Sequence, residues 1–231
     1  MTKIFIDPGH GGEDPGATAN GLREKNICLS LALKLRDVLN QEYEGHTLKL
    51  SREADTTVTL RQRTNMANSW GADYFVSIHI NAGGGTGFES YIYNGNYASK
   101  PETNRLRNLL HEQVVKETGY RDRGKKEANF HVLRESAMYG VLTENGFIDH
   151  STDAEKLKSD AFLNQIARGH ASGLARALGL KRKSVQYHTI QKGDTFWALS
   201  RQYHTTVAKL LKMNPGVDAE RLQIGERIRV K

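Results

Sequence analysis

The segment Tyr74-Phe75-Val76-Ser77-Ile78-His79-Ile80 constrains this chain more than any other. A run so rich in β-branched and aromatic residues reads as a strand, and Gly83-Gly84-Gly85 forces a loop soon after it. Around it, short apolar runs alternate with segments of helical period. Ile4-Phe5-Ile6 is a buried-strand candidate that ends at Asp7-Pro8-Gly9-His10-Gly11-Gly12. Between Glu24 and Asn40, Ile27, Leu31, Leu35 and Val38-Leu39 recur at helical spacing. Leu48–Leu50 reads as a strand, Leu60–Trp70 as a helix stopped at Gly71, Phe88–Tyr93 as a strand and residues 101–118 as a helix. Phe130–Leu133 and Tyr139–Thr143 are further strand candidates. Thr152-Asp153-Ala154-Glu155 has capping-box spacing, and Phe162, Ile166, His170 and Leu174 line a last helix stopped at Gly179. Strands alternating with helices indicate an α/β fold, a mostly parallel sheet flanked by helices.

That section occupies residues 1–179. Residues 180–185 are basic and lack an apolar period, so they read as a linker to a second, small domain over 186–231. Charge divides in nearly the same place. Residues 181–231 hold 11 Lys and Arg against 4 Asp and Glu, which is the whole net charge of +7, while the body is neutral. A basic module on a neutral body points to a partner of its own, such as nucleic acid, an anionic surface or an acidic polymer. No apolar run approaches the ~20 residues of a membrane span. Before Asp7-Pro8-Gly9 the N-terminus offers only Ile4–Ile6, which does not make a secretory signal, so synthesis in the cytoplasm is the expectation. A single cysteine, Cys28, excludes a disulfide framework within the chain and a multi-cysteine zinc site. Histidine and carboxylate remain as metal ligands.

Ligands in open α/β sheets gather beyond the carboxyl ends of the strands; three such residues stand there, and a fourth, Glu24, is placed to point there from a helix N-terminus. His10 follows the first strand, His79 ends the strongest one, and Glu144 closes Val141-Leu142-Thr143. Glu24 sits at the start of the first helix. Two His and one Glu make a catalytic zinc site with an open position for water, and a second Glu can carry the proton. Each residue also has an ordinary structural reading: a loop histidine, a hydrogen-bonded core histidine, a helix N-terminal charge. Glu144 fits that reading least, since a carboxylate ending an apolar strand is costly to bury without a partner. By strand parity, Ser77 and Asn81 share the side of His79.

These motifs resemble the zinc-dependent N-acetylmuramoyl-L-alanine amidases of the amidase-3 family. The resemblance runs from Ile6-Asp7-Pro8-Gly9-His10-Gly11-Gly12 through Gly21-Leu22-Arg23-Glu24, Ser51-Arg52, Leu60-Arg61-Gln62-Arg63, Val76-Ser77-Ile78-His79-Ile80-Asn81 and Gly87-Phe88-Glu89. It ends with Val132-Leu133-Arg134 and Leu142-Thr143-Glu144-Asn145-Gly146-Phe147-Ile148. It implies that His10, Glu24 and His79 hold zinc, that Glu144 is the catalytic glutamate, and that Asn81 and Arg134 contact substrate. One departure is Asp149-His150, where the family commonly has Ser-Asn.

The tail resembles a LysM module. Tyr187–Ser200 matches its start, Thr205–Pro215 its second helix and exit, and Leu222–Val230 its last strand. The resemblance implies a β-α-α-β fold that binds N-acetylglucosamine-containing polymers such as peptidoglycan. Asp194 is positioned to cap a helix starting at Thr195, and Trp197, Leu199, Leu210 and Leu211 make a candidate core in which Trp197 is packed inside.

Together these readings describe a zinc-dependent peptidoglycan hydrolase. It would cut the amide between the lactyl group of N-acetylmuramic acid and L-alanine, with glycan strands held by residues 186–231. Action at the wall without an export signal implies release by lysis or a holin, as for a phage or prophage endolysin, the preferred reading, or a lytic enzyme of a sporulating mother cell. A non-catalytic wall-binding protein and a zinc peptidase acting on the stem peptide are the alternatives. Nucleic acid is not the expected partner, because the charge excess lies in the carbohydrate-like module.

Overall fold

In the computed structural model, which describes residues 1–231, the run around His79 forms the inner strand of a six-stranded sheet. The strands are β1 (Thr2–Pro8), β2 (His46–Leu50), β3 (Tyr74–Asn81), β4 (Phe88–Tyr93), β5 (Asp122–Ala128) and β6 (Tyr139–Phe147). Their order is β2-β1-β3-β6-β4-β5. All neighbours are parallel except β4 and β6, which are antiparallel.

Period-two alternation sorts the side chains of β1 and β3 into two cores. Ile4, Ile6, Tyr74, Val76 and Ile78 face one layer of helices, α1 (Glu24–Glu42), α3 (Lys100–Thr118) and α6 (Asp160–Leu178). Phe5 and Phe75 face the other side, where Ala67 of α2 (Leu60–Trp70) and Val132 and Leu133 of α4 (His131–Arg134) cover them. With both faces sealed, the carboxyl ends of β1, β3 and β6 are left as the edge where polar groups gather.

Several local expectations are corrected. Phe130–Leu133 is not a strand; His131–Arg134 is the short helix α4. Strand β5 has almost no apolar residue and gives no strand pattern in the sequence. The helix α5 (Ser151–Lys158) starts one residue before Thr152, so Thr152 lies inside it, the N-cap is His150 and no side chain caps the end; Asp153 accepts from the Gly87 and Phe147 N–H groups. A capping box does form at α2, between Thr59 and Gln62.

The chain divides into two compact units, residues 1–182 and 183–231. Residues 181–182, read as linker, pair antiparallel with Tyr43–Glu44 of the first unit. The second unit runs β7 (Tyr187–Thr189), α7 (Phe196–Gln202), α8 (Val207–Met213) and β8 (Arg227–Arg229), with β7 and β8 antiparallel. Its core is Ile190, Phe196, Leu199, Leu210, Ile228 and Val230. Trp197 does not belong to it: this side chain is 66% exposed, and Leu211 is exposed as well. Phe196 and Leu199 take the inner face of α7, so Trp197, about 100° further round the helix, faces out. Thr195 caps α7; Asp194 instead accepts from the Gln191 N–H and lies 2.6 Å from His188 Nε2.

Candidate metal centre

Three residues far apart in sequence meet at the carboxyl edge of the sheet. His10 stands two residues beyond β1 in the left-handed region, φ 58°. Glu24 is the first residue of α1, and His79 lies near the end of β3. His10 Nε2 is 3.1 Å from Glu24 Oε2, and His79 Nδ1 is 3.1 Å from Glu24 Oε1. One ligand atom from each lies within 4.8 Å of the others. Two imidazole nitrogens and one carboxylate are a donor set that fits zinc and leaves a position for water.

The surroundings hold that geometry. Asp14 Oδ2 sits 2.7 Å from His10 Nδ1, which turns Nε2 toward Glu24. Glu24 accepts from the Ala17 and Ile80 N–H groups, one on each oxygen. Burial works to raise the Glu24 pKa, but hydrogen bonds with His10 and His79 outweigh it and hold the carboxyl far below the usual range. Glu24 is therefore an anion wherever the protein is folded near neutral pH. Space is equally restricted. A Cβ on Gly9 would overlap the His79 ring, and one on Gly16 would come within 2.6 Å of Glu24 Oε2.

Two buried arginines fix the loop that carries His10. Arg63 donates to the Pro8 and His10 carbonyls and pairs with Asp7 at 2.7 Å. Arg52 donates to the Pro8 and Gly9 carbonyls. Ser51 and Ser77 donate to the two oxygens of Asp7. Ser77, on the same strand face as His79, thus also supports the loop through Asp7. Both arginines fell within recognisable motifs, but only the fold reveals that their target is backbone.

Glu144 pairs with His79 across β3 and β6, and with Glu89 across β6 and β4. It is partly exposed as a residue, yet its Oε2 is shut off from solvent and has no hydrogen-bond partner. Burial, and then the charges of Glu24 and Glu89, push its pKa well above the ordinary value. A carboxyl in this state can hold a proton beside a metal centre. Glu89 differs: Arg123, Lys126, Tyr91 and Asn81 all donate to it. Asn81 therefore reaches the neighbourhood of Glu144 through Glu89. Arg134 pairs with Glu135 and Asn129 and makes no contact with the three donor residues. Asp149, the departure in the last motif, accepts from the Gly83 and Gly84 N–H groups and so secures the glycine loop.

Both units are similar to known proteins. Residues 4–176 match the amidase-3 family, described as N-acetylmuramoyl-L-alanine amidase, and residues 188–231 match the LysM domain. The N-acetylmuramoyl-L-alanine amidase CwlM of Bacillus licheniformis is 60% identical over 191 residues, covering 83% of this chain and 74% of that protein. The endolysin of Bacillus phage SPP1 is 46% identical over 185 residues, covering 78% and 68% respectively. The catalytic domain of CwlV, an N-acetylmuramoyl-L-alanine amidase from Bacillus (Paenibacillus) polymyxa var. colistinus, superposes with a TM-score of 0.73 at 34% identity. That match covers 78% of this chain and 100% of the other.

Proposed function

The chain belongs to the amidase-3 family of N-acetylmuramoyl-L-alanine amidases, and from that premise we propose that His10, Glu24 and His79 hold zinc and that Glu144 moves the proton. The enzyme is a cell-wall hydrolase acting on the amide between the lactyl group of N-acetylmuramic acid and L-alanine. The observation that carries the assignment is the convergence of three donor atoms within 4.8 Å, next to a carboxyl oxygen that has no partner.

Bound zinc supplies a Lewis acid and lowers the pKa of water. Glu144 takes the proton from the attacking water and delivers it to the alanine nitrogen as the C–N bond breaks. Oε2 has no hydrogen-bond partner in the protein, so no internal group competes for the proton it carries. Arg52 and Arg63 keep His10 in place throughout, because they bind the loop backbone and not the reacting groups. Asn81 and Arg134 are candidates for substrate contact, Asn81 with the stronger support because it lies two residues from His79.

The second unit tethers the enzyme to glycan strands, which raises the local concentration of substrate. Similarity to the SPP1 endolysin supports a lytic role after release from the cytoplasm. Expressed inside a susceptible bacterium, the enzyme should leave cells intact until the membrane is permeabilised; lysis before that would contradict the role.

The decisive experiment is digestion of purified peptidoglycan, with mass spectrometry of the products. Intact stem peptides with a free L-alanine amino terminus, lost on chelation and restored by zinc, are expected. New glycan reducing ends or cleaved stem peptides would overturn the assigned bond. Bound zinc without any product would identify a wall-binding protein.

A further inference from the structure

Four neighbouring strands carry a row of polar residues along one face of the sheet. His79 pairs with Glu144, and Glu144 with Glu89. Directly opposed residues share a face. On β5, the strand register shifts between Phe88 and Ser90, and Arg123 occupies that irregularity opposite Glu89. Its Nε donates to Glu89 Oε1 at 2.7 Å.

The guanidinium is fixed on two further sides. It lies over the Phe147 ring, 4.8 Å from its centroid, and Gly85 closes on the same stack, since a Cβ there would stand 3.0 Å from Arg123 Cζ. Only Nε is engaged. The two terminal nitrogens make no hydrogen bond within the protein, and the side chain is 29% exposed. Such a fork is shaped to receive a carboxylate through two parallel bonds. Charge favours the same ligand. Glu89 Oε1 also accepts from Lys126 Nζ at 2.6 Å, so Glu89 shares its charge between two cations and does not neutralise Arg123 alone.

We propose that Arg123 binds a carboxylate of the stem peptide immediately beyond the scissile alanine and makes the enzyme select for it. The inference rests on the amidase reading and deepens it. The chemistry of the substrate supplies the group: when the second stem residue is a γ-linked D-glutamate, its α-carboxylate is free. The lengths agree. Adjacent strands are about 4.8 Å apart, so Arg123 arises about 10 Å from the Glu144 backbone and its side chain reaches back over Glu89. Two extended residues span about 7 Å, which carries the peptide from a bond at Glu144 to that fork.

The test uses the full chain and two soluble N-acetylmuramoyl-peptides. They are identical except that the second residue carries a free α-carboxylate in one and an α-amide in the other. Wild-type enzyme is expected to favour the carboxylate substrate about tenfold or more in kcat/KM, mainly through KM. Arg123→Gln should bring the ratio of the two close to one. Arg123→Lys, which keeps charge but not the fork, should retain part of the preference, and it stands in if the Gln variant does not fold. Equal cleavage of both substrates by wild-type enzyme would overturn the inference and leave the amidase reading intact. So would a loss in Arg123→Gln that is equal on both substrates, because that is the signature of a disturbed Glu89 alone. Failure of wild-type enzyme to release alanine-terminated peptide from either would overturn the amidase reading, and the inference with it.

Discussion

Glu144, within β6, carries a carboxyl oxygen that no group in the protein satisfies, and a buried polar atom without a partner calls for an explanation. Glu144→Gln keeps the shape and removes the proposed proton carrier. It should retain bound zinc, checked by metal analysis, while kcat falls by about 10²–10⁴. Gly9→Ala tests the cradle: its Cβ would displace the His79 ring, so metal content itself should drop. A third residue governs stability. His170 is fully buried, and burial pushes its pKa down to about 4. The folded protein holds it neutral, while the unfolded chain takes up a proton below about pH 6.5. The contribution of His170 to stability is therefore constant above that pH and declines as the pH falls from about 6.5 to about 4, by roughly 3 kcal/mol in all. Denaturant unfolding across that range should show the decline, and His170→Phe should flatten it. The sequence placed His10, Glu24, His79 and Glu144 at the ends of elements, because an ionisable residue interrupting an apolar run is conspicuous. Asp14, Glu89 and Arg123 were not legible in that way. Each takes its role from a partner, and in Glu89 and Arg123 that partner lies tens of residues away.

At the scale of the element, the loop after β1 is held by long side chains from elsewhere, not by its own sequence. Arg63 on α2 and Asp7 on β1 form a buried pair at 2.7 Å. Arg63→Met would leave Asp7 with only Ser51 and Ser77, and removal of one member of such a pair costs about 3–5 kcal/mol. The cap at Thr59 on the same helix is exposed, and Thr59→Ala should cost only about 1 kcal/mol. Unfolding midpoints of the two variants should rank in that order; equal losses would mean that the buried pair contributes no more than a surface cap. The alternation of strand and helix was readable because β1, β3 and the large helices bury one consistent face or both. Strand β5 was not, since Asp122, Lys125 and Glu127 keep it polar wherever it meets water. Phe130–Leu133 shows the converse: its apolar residues cover Phe5 and Phe75 from a helix, and a run that short has no period to distinguish the two states.

The whole molecule couples a neutral body to a basic module, and the two should respond to salt differently. Wall binding by the full chain should weaken as ionic strength rises, while cleavage of small soluble muropeptides should change little. Sedimentation with purified walls across a salt series measures the first and product release the second. Binding that ignores salt would assign retention to sugar contacts alone. The core of the second unit is small, and its exposed Trp197 came as a correction because aromatic residues in a short sequence read by default as core. The polar strand at the far side of the sheet has a consequence of another kind. An outermost strand offers unpaired backbone to neighbouring molecules, and regularly spaced charge is what deters them from docking onto it. The exposed residues of β5 are Asp122, Lys125 and Glu127, and each pairs with a residue of α3: His111, Glu112 and Lys100. The residues that hide this strand from pattern recognition are thus the ones that put charge on the outermost strand of the sheet.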